Sequence, residues 1–272
     1  MSSAGVSPTE EREQAVAFDK TTEKGVDGGL FQACMKSIRS THITANRLRT
    51  GLVVAGLFTD QTIYREVIVL FYAATRALES NLLKCKGEDE ICDKLLSLGY
   101  RFAPQYEKDL QFLYPKDAWQ QEVDKVLETA SPGAKSYLET IRSMKSGEKL
   151  AGAAFCLWGA LIIGGGAAAM PRVEALCGKE ATNLFQDVTG PGRNDRKAKF
   201  VAVWDDLVKK KEDPRFQKIV VCSQECMQGN NHLIASVKRN PWWLKYIVST
   251  AVAVGAVGVY FLLQPGKQQE GS

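Results

Sequence analysis

Between residues 29 and 240 apolar positions return every three or four residues, the period of helices that bury one face. Leu52, Val53, Leu57 and Phe58 lead into a turn at Thr59 and Asp60. Val67, Leu70, Phe71, Ala74, Leu78 and Leu82 then mark a long helix. Leu110, Leu113 and Trp119 follow, and after them Val123, Val126 and Leu127. Ser131-Pro132-Gly133-Ala134 has the form of a helix start, with Tyr137, Leu138 and Ile141 behind it. Phe200, Val203, Trp204, Leu207 and Val208 give another helix, and Phe216 to Ile234 the last long one. Thr189 to Asn194, with Gly190, Pro191 and Gly192, is the clearest long loop. No turn dipeptide sits between alternating runs, so the pattern predicts an all-α domain of about seven helices.

The two ends differ from this middle. Residues 1–28 are polar, with Glu10, Glu11, Arg12 and Glu13 and no apolar core, and read as a disordered leader without a signal peptide. Residues 241–272 read as a membrane anchor with a short tail. Tyr246 to Leu263 carries no charge. As a helix it would be about 27 Å long, close to one hydrocarbon core. Trp242, Trp243, Tyr260 and Phe261 sit where interfacial aromatics are found. Lys238, Arg239 and Lys245 on its N-terminal side put the large domain in the cytosol. The expectation is a tail anchor in the endoplasmic reticulum membrane, with the mitochondrial outer membrane as the alternative.

Ala151 to Met170 is also uncharged, but more than half of it is Gly or Ala, and Gly164, Gly165 and Gly166 would fray a helix. A central helix buried on all sides fits better than a second span. Glycine lets a backbone approach a flat partner closely, either another helix or a planar ligand.

Composition narrows the chemistry. The net charge of +4 is too small to imply nucleic acid. Seven cysteines at irregular spacing, without C-x-x-C, read as reduced thiols of an intracellular protein. Two histidines exist, His42 and His232, which excludes multi-histidine metal sites unless the two converge. His232 reads as structural or surface. His42 falls on an apolar stripe with Leu30, Cys34, Ile38, Ala45 and Leu48. It is either a core histidine bonded to a neighbour or an axial ligand to haem iron. In the second case Asn46, one turn on, offers its amide oxygen to the other ring nitrogen. Arg39, three residues before, would then meet a ligand carboxylate at the rim.

The order of these features resembles the haem oxygenases, from about residue 30 to 265. Ser40-Thr41-His42-Ile43-Thr44-Ala45 is similar to the proximal helix of that family. Leu70-Phe71-Tyr72-Ala73-Ala74-Thr75-Arg76-Ala77-Leu78-Glu79 resembles the long helix after it. Glu107-Lys108-Asp109-Leu110-Gln111-Phe112-Leu113-Tyr114 resembles the family's E-x-D-L-x-x-x-Y stretch. Leu157-Trp158-Gly159-Ala160-Leu161-Ile162-Ile163-Gly164-Gly165 resembles the distal L-G-D-L-S-G-G helix. The usual distal aspartate is replaced by Ala160 or Leu161, an aliphatic stretch similar to that of fungal members. Asn46 stands where an acid usually follows the proximal histidine. Val201 and Asp205 stand where basic residues usually meet the propionates, with Lys197 and Lys199 as possible substitutes.

The resemblance implies a haem-oxygenase-like domain over residues 29–240. His42 would ligate the haem iron, Gly159, Gly164 and Gly165 would stand over the opposite face, and Arg39 would meet the rim. Haem would be both substrate and cofactor. With O2 and electrons from NADPH, delivered by a membrane-bound flavoprotein reductase, it would be opened to biliverdin, carbon monoxide and iron. Two other readings stay open: a haem-binding sensor or carrier of the same fold without turnover, and a tail-anchored helical adaptor without a cofactor.

Overall fold

The computed structural model describes residues 28–164 and 166–237. The expected leader, apart from Gly28, and the expected anchor lie outside the described residues. Within them, no helix is long and apolar enough to cross a membrane.

The described residues form α1 (Leu30–Ala55), α2 (Gln61–Lys84), α3 (Glu90–Leu96), α4 (Ala103–Leu113), α5 (Trp119–Thr129) and α6 (Pro132–Ser143). Then come α7 (Gly147–Ile162), α8 (Gly166–Cys177), a single 3-10 turn (Lys179–Ala181), α9 (Asn183–Thr189), α10 (Arg193–Leu207) and α11 (Pro214–Ser236). The all-α expectation holds, but the helices are more numerous and shorter than the seven expected. Two departures have plain causes. The glycine-rich segment is two helices, because α7 stops at Ile162 and α8 begins at Gly166. The expected long loop is only residues 190–192, because Gly192 at φ +80° turns the chain straight into α10.

Helix α11 is the axis of the fold. Both α1 and α7 pack along it, far more than against each other. The approach of α7 is close because Gly152 carries no side chain: a Cβ there would lie 2.6 Å from the Cys222 carbonyl carbon. Ser223, fully buried, sits in the same seam. Its hydroxyl lies 3.4 Å from Cys34 Sγ of α1, and its carbonyl accepts from Cys156 Sγ of α7 at 3.1 Å. On the far side α6 lays Tyr137 over Gly229, and the phenol donates to Asn230 Oδ1 at 3.0 Å. A ring cluster of Phe31, Phe155, Phe200 and Trp204 closes the end where α1, α7 and α10 meet.

Helix starts leave unpaired N–H groups, and here carboxylates borrowed from elsewhere in the chain satisfy many of them. Glu79 of α2 accepts from Phe102 at 2.7 Å and Ala103 at 3.3 Å, at the start of α4. Asp109 of α4 accepts from Asn183 at 2.7 Å and Leu184 at 3.1 Å, at the start of α9. Asp89 serves two helices, accepting from Ile91 at 2.9 Å in α3 and from Gly147 at 2.8 Å in α7. Asp205 of α10 accepts from Phe31 at 2.9 Å, in the first turn of α1.

Burial pushes the Glu79 carboxyl up to about 7, and its backbone partners only partly offset that. A carboxyl raised on folding contributes stability that is complete below the ordinary carboxylate range and lost as pH rises through about 7. Between pH 5 and pH 8, urea unfolding of the native chain should therefore lose about 2 kcal/mol that Glu79→Gln does not lose. Parallel pH profiles of the two proteins would refute this assignment.

Candidate functional site

Helix α1 carries its stripe as expected: Leu30, Cys34, Ile38 and Ala45 are buried. His42 and Leu48 on the same stripe are half-buried. The imidazole therefore sits where the apolar face of α1 leaves the core. Two contacts fix the backbone there. Ser37 Oγ donates to the Val220 carbonyl at 3.3 Å, and Asn231 Nδ2 donates to the Thr41 carbonyl at 3.2 Å. Asn231 Oδ1 is buried and has no hydrogen-bond partner among the described residues. Burial first, and the Arg49 guanidinium second, hold the His42 imidazole below its ordinary pKa. It is therefore neutral at pH 7, with a ring lone pair to offer.

The neighbours of His42 differ from the expectation. The Asn46 amide oxygen is taken by the Arg49 guanidinium. It is the amide nitrogen of Asn46 that faces His42 Nδ1, at 3.5 Å. A guanidinium demands an acceptor, so it turns the amide away from the expected arrangement. Arg39 is exposed on α1, one turn before His42.

Helix α7 is buried from Ala151 to Trp158 and then emerges. Gly159, Leu161, Ile163 and Gly164 are half-buried, and Ala160 is exposed. The segment is thus a fully packed helix only in its first half. Gly165 lies outside the described residues. The Gly159 carbonyl accepts from both Ile163 at 2.9 Å and Gly164 at 3.1 Å, which ends the helix. A Cβ on Gly159 would meet nothing closer than the Phe200 ring at 3.5 Å. The absence of a side chain there is not demanded by packing, in contrast to Gly152.

By their chemistry these residues suit a flat ring carrying a metal ion: a neutral imidazole on α1, a side-chain-free backbone on α7 and an unpaired buried oxygen at Asn231 of α11. The rim suits the carboxylates of such a ring less well. Asp205 is an acid and is committed to capping α1. Val201 is half-buried, and Lys199 donates to the Ser97 carbonyl at 2.8 Å. Lys197 is exposed on α10. Among the described residues, no group of three or more His, Cys, Asp or Glu is placed to hold a metal ion by itself.

The other residues singled out by sequence have structural work. Besides the Asp109 cap, Glu107 accepts from the Tyr72 phenol at 2.6 Å, and Tyr114 lies under Arg65 at 5.2 Å. All seven cysteines are free. Burial pushes Cys34 and Cys226 up to about 12, so neither is a thiolate at neutral pH. His232 is exposed and turns toward Gly133 of α6. It lines a groove of 340 Å³ with Tyr137, Lys149, Cys222, Glu225 and Cys226. That groove includes no residue of α1 and none of Gly159 to Gly164. Sequence reasoning missed Arg49 and Asn231, although Arg49 lies two helical turns after His42 and so on its face.

No protein-family model and no curated protein sequence matches the chain. Solved structures do. Haem oxygenase 2 from Chlamydomonas reinhardtii, without haem, aligns with a TM-score of 0.66 and 23% identity, covering 78% of this chain and 99% of the other. Haem oxygenase-1 from the cyanobacterium Synechocystis, in complex with haem, aligns at 0.64 with 18% identity, covering 84% and 99%. Haem oxygenase-2 from Synechocystis, in complex with haem and NO, aligns at 0.62 with 18% identity, covering 77% and 85%. The chain has the fold of the haem oxygenases.

The two glycines of α7 should separate packing from site. Gly152→Val drives a side chain into the α11 backbone and should cost about 3 kcal/mol or more in urea unfolding. Gly159→Val should leave stability within about 1 kcal/mol of the native chain. Equal losses at both positions would mean that Gly159 is also held by packing.

Proposed function

We propose that this chain is a haem oxygenase, which opens haem oxidatively to biliverdin, carbon monoxide and iron. The observation that carries the reading is the neutral, half-buried His42, facing out of the α1 stripe in a chain with the haem oxygenase fold. Bound haem supplies the iron that activates dioxygen and is itself the molecule oxidised. The protein supplies placement. His42 would hold the iron from α1, and Asn231 keeps that turn of α1 in position through the Thr41 carbonyl. Gly159, where a Cβ would meet only the Phe200 ring at 3.5 Å, and Gly164 would offer backbone free of side chains to the other side of the ring. Arg39 stands at the rim. No acid occurs between Lys149 and Glu174, so proton delivery falls to ordered water held by backbone groups. Electrons come from NADPH through a flavoprotein reductase. The uncharged run from Tyr246 to Leu263 anchors the domain in the endoplasmic reticulum membrane, with the mitochondrial outer membrane as the alternative. A shared membrane raises the effective concentration of the reductase.

Two observations favour a second reading, a haem carrier or sensor without turnover. Ala160 or Leu161 replaces the distal acid, and Asp205 gives its carboxylate to the α1 cap. One experiment separates the two. The full chain in detergent is loaded with haem and given NADPH, oxygen and an NADPH-dependent flavoprotein reductase. An oxygenase loses its Soret band and releases biliverdin with one carbon monoxide per haem, and His42→Ala does not. Haem that stays intact under sustained reduction would favour the carrier instead.

A further inference from the structure

His42, Asn46 and Arg49 stand at i, i+4 and i+7 on α1, so their side chains meet along one face. The contact pattern along that row has a direction. The Arg49 guanidinium donates to Asn46 Oδ1. This leaves the Asn46 Nδ2 group, which carries hydrogens and no lone pair, turned toward His42 Nδ1 at 3.5 Å. Nδ1 then faces a donor, which favours the tautomer with the ring proton on Nε2. Among the described residues no carboxylate pairs with Arg49, so Asn46 is its acceptor there.

We propose that Arg49, acting through the Asn46 amide, is a latch that holds His42 in the Nε2–H tautomer and so opposes ligation at Nε2. A Lewis acid at Nε2 needs the lone pair there. The ring proton must then move to Nδ1, with no net gain or loss of protons. Nδ1–H would face the Asn46 Nδ2 donor, and two donors repel. Rotation of the amide by half a turn relieves this, because Oδ1 then accepts from Nδ1–H. The same rotation presents Nδ2 to the guanidinium, so Arg49 has to leave. Ligation of His42 and release of Arg49 are one event. Arg49 is a positioning residue here, not a catalytic one. The haem arm of the test rests on the proposed function; the tautomer arm does not.

The test uses the full chain in detergent, labelled with 15N-histidine, at a pH where the rings are neutral. With two histidines, a His232→Gln variant assigns the spectrum. The native chain should show His42 with its proton on Nε2. Arg49→Met should move the ratio toward Nδ1–H, and Asn46→Asp, which puts a carboxylate beside Nδ1, should make Nδ1–H dominant. In haem titrations followed by the Soret band, both variants should bind haem more tightly than the native chain, by about tenfold at most. A native His42 already protonated on Nδ1, or a tautomer ratio unmoved by Arg49→Met, overturns the latch. So does weaker haem binding in Arg49→Met, which would make the guanidinium an anchor for a ligand anion. If the tautomers shift as expected and no protein binds haem, the latch stands and the haem oxygenase reading fails.

Discussion

The structure depends on one close approach, that of α7 to α11 at Gly152. With no Cβ at this position the two backbones come near enough for Ser223 to sit in the seam, between Cys34 of α1 and Cys156 of α7. Both α1 and α7 are thereby fixed to a common axis, and they meet each other through the Phe31–Phe155 ring contact at one end. Past the seam the two helices are free to leave the core, and there His42 and Gly159 lose part of their cover.

Four carboxylates are spent on helix starts. Glu79, Asp89, Asp109 and Asp205 each give a carboxylate to N–H groups of a helix start, tying α1, α3, α4, α7 and α9 into place. The residues proposed to receive haem, His42, Asn46, Arg49, Asn231 and the glycines of α7, include no acid. In that setting ligation strength is governed by which ring nitrogen carries the proton.

Much of this was legible in the sequence. The stripe from Leu30 to Leu48 placed His42 at a helix face, and the turn at Thr59–Asp60 and the start at Ser131 fell where expected. Asp60 and Ser131 cap through side-chain oxygens, a signal that residue type carries. The haem oxygenase fold was legible from the order of motifs even though identity to the solved relatives is only 18–23%. What was not legible depends on partners distant in sequence. Asp205 stands where the resemblance would have put a basic residue, and its role as a cap for Phe31, far away along the chain, could not be read from its position. The Asn46 amide orientation depends on competition between His42 and Arg49, which spacing alone does not rank. The two glycines 152 and 159 look alike in sequence, and only the position of α11 tells the packing glycine from the site glycine.

The central claim is that His42 is the group that takes haem iron. An equilibrium haem titration of the native chain and of His42→Ala, read by the position and intensity of the Soret band, tests it directly. The account predicts a saturable ferric spectrum of histidine-ligated haem in the native chain, and in His42→Ala a shifted band with much weaker binding. Identical spectra and affinities for the two proteins would contradict it.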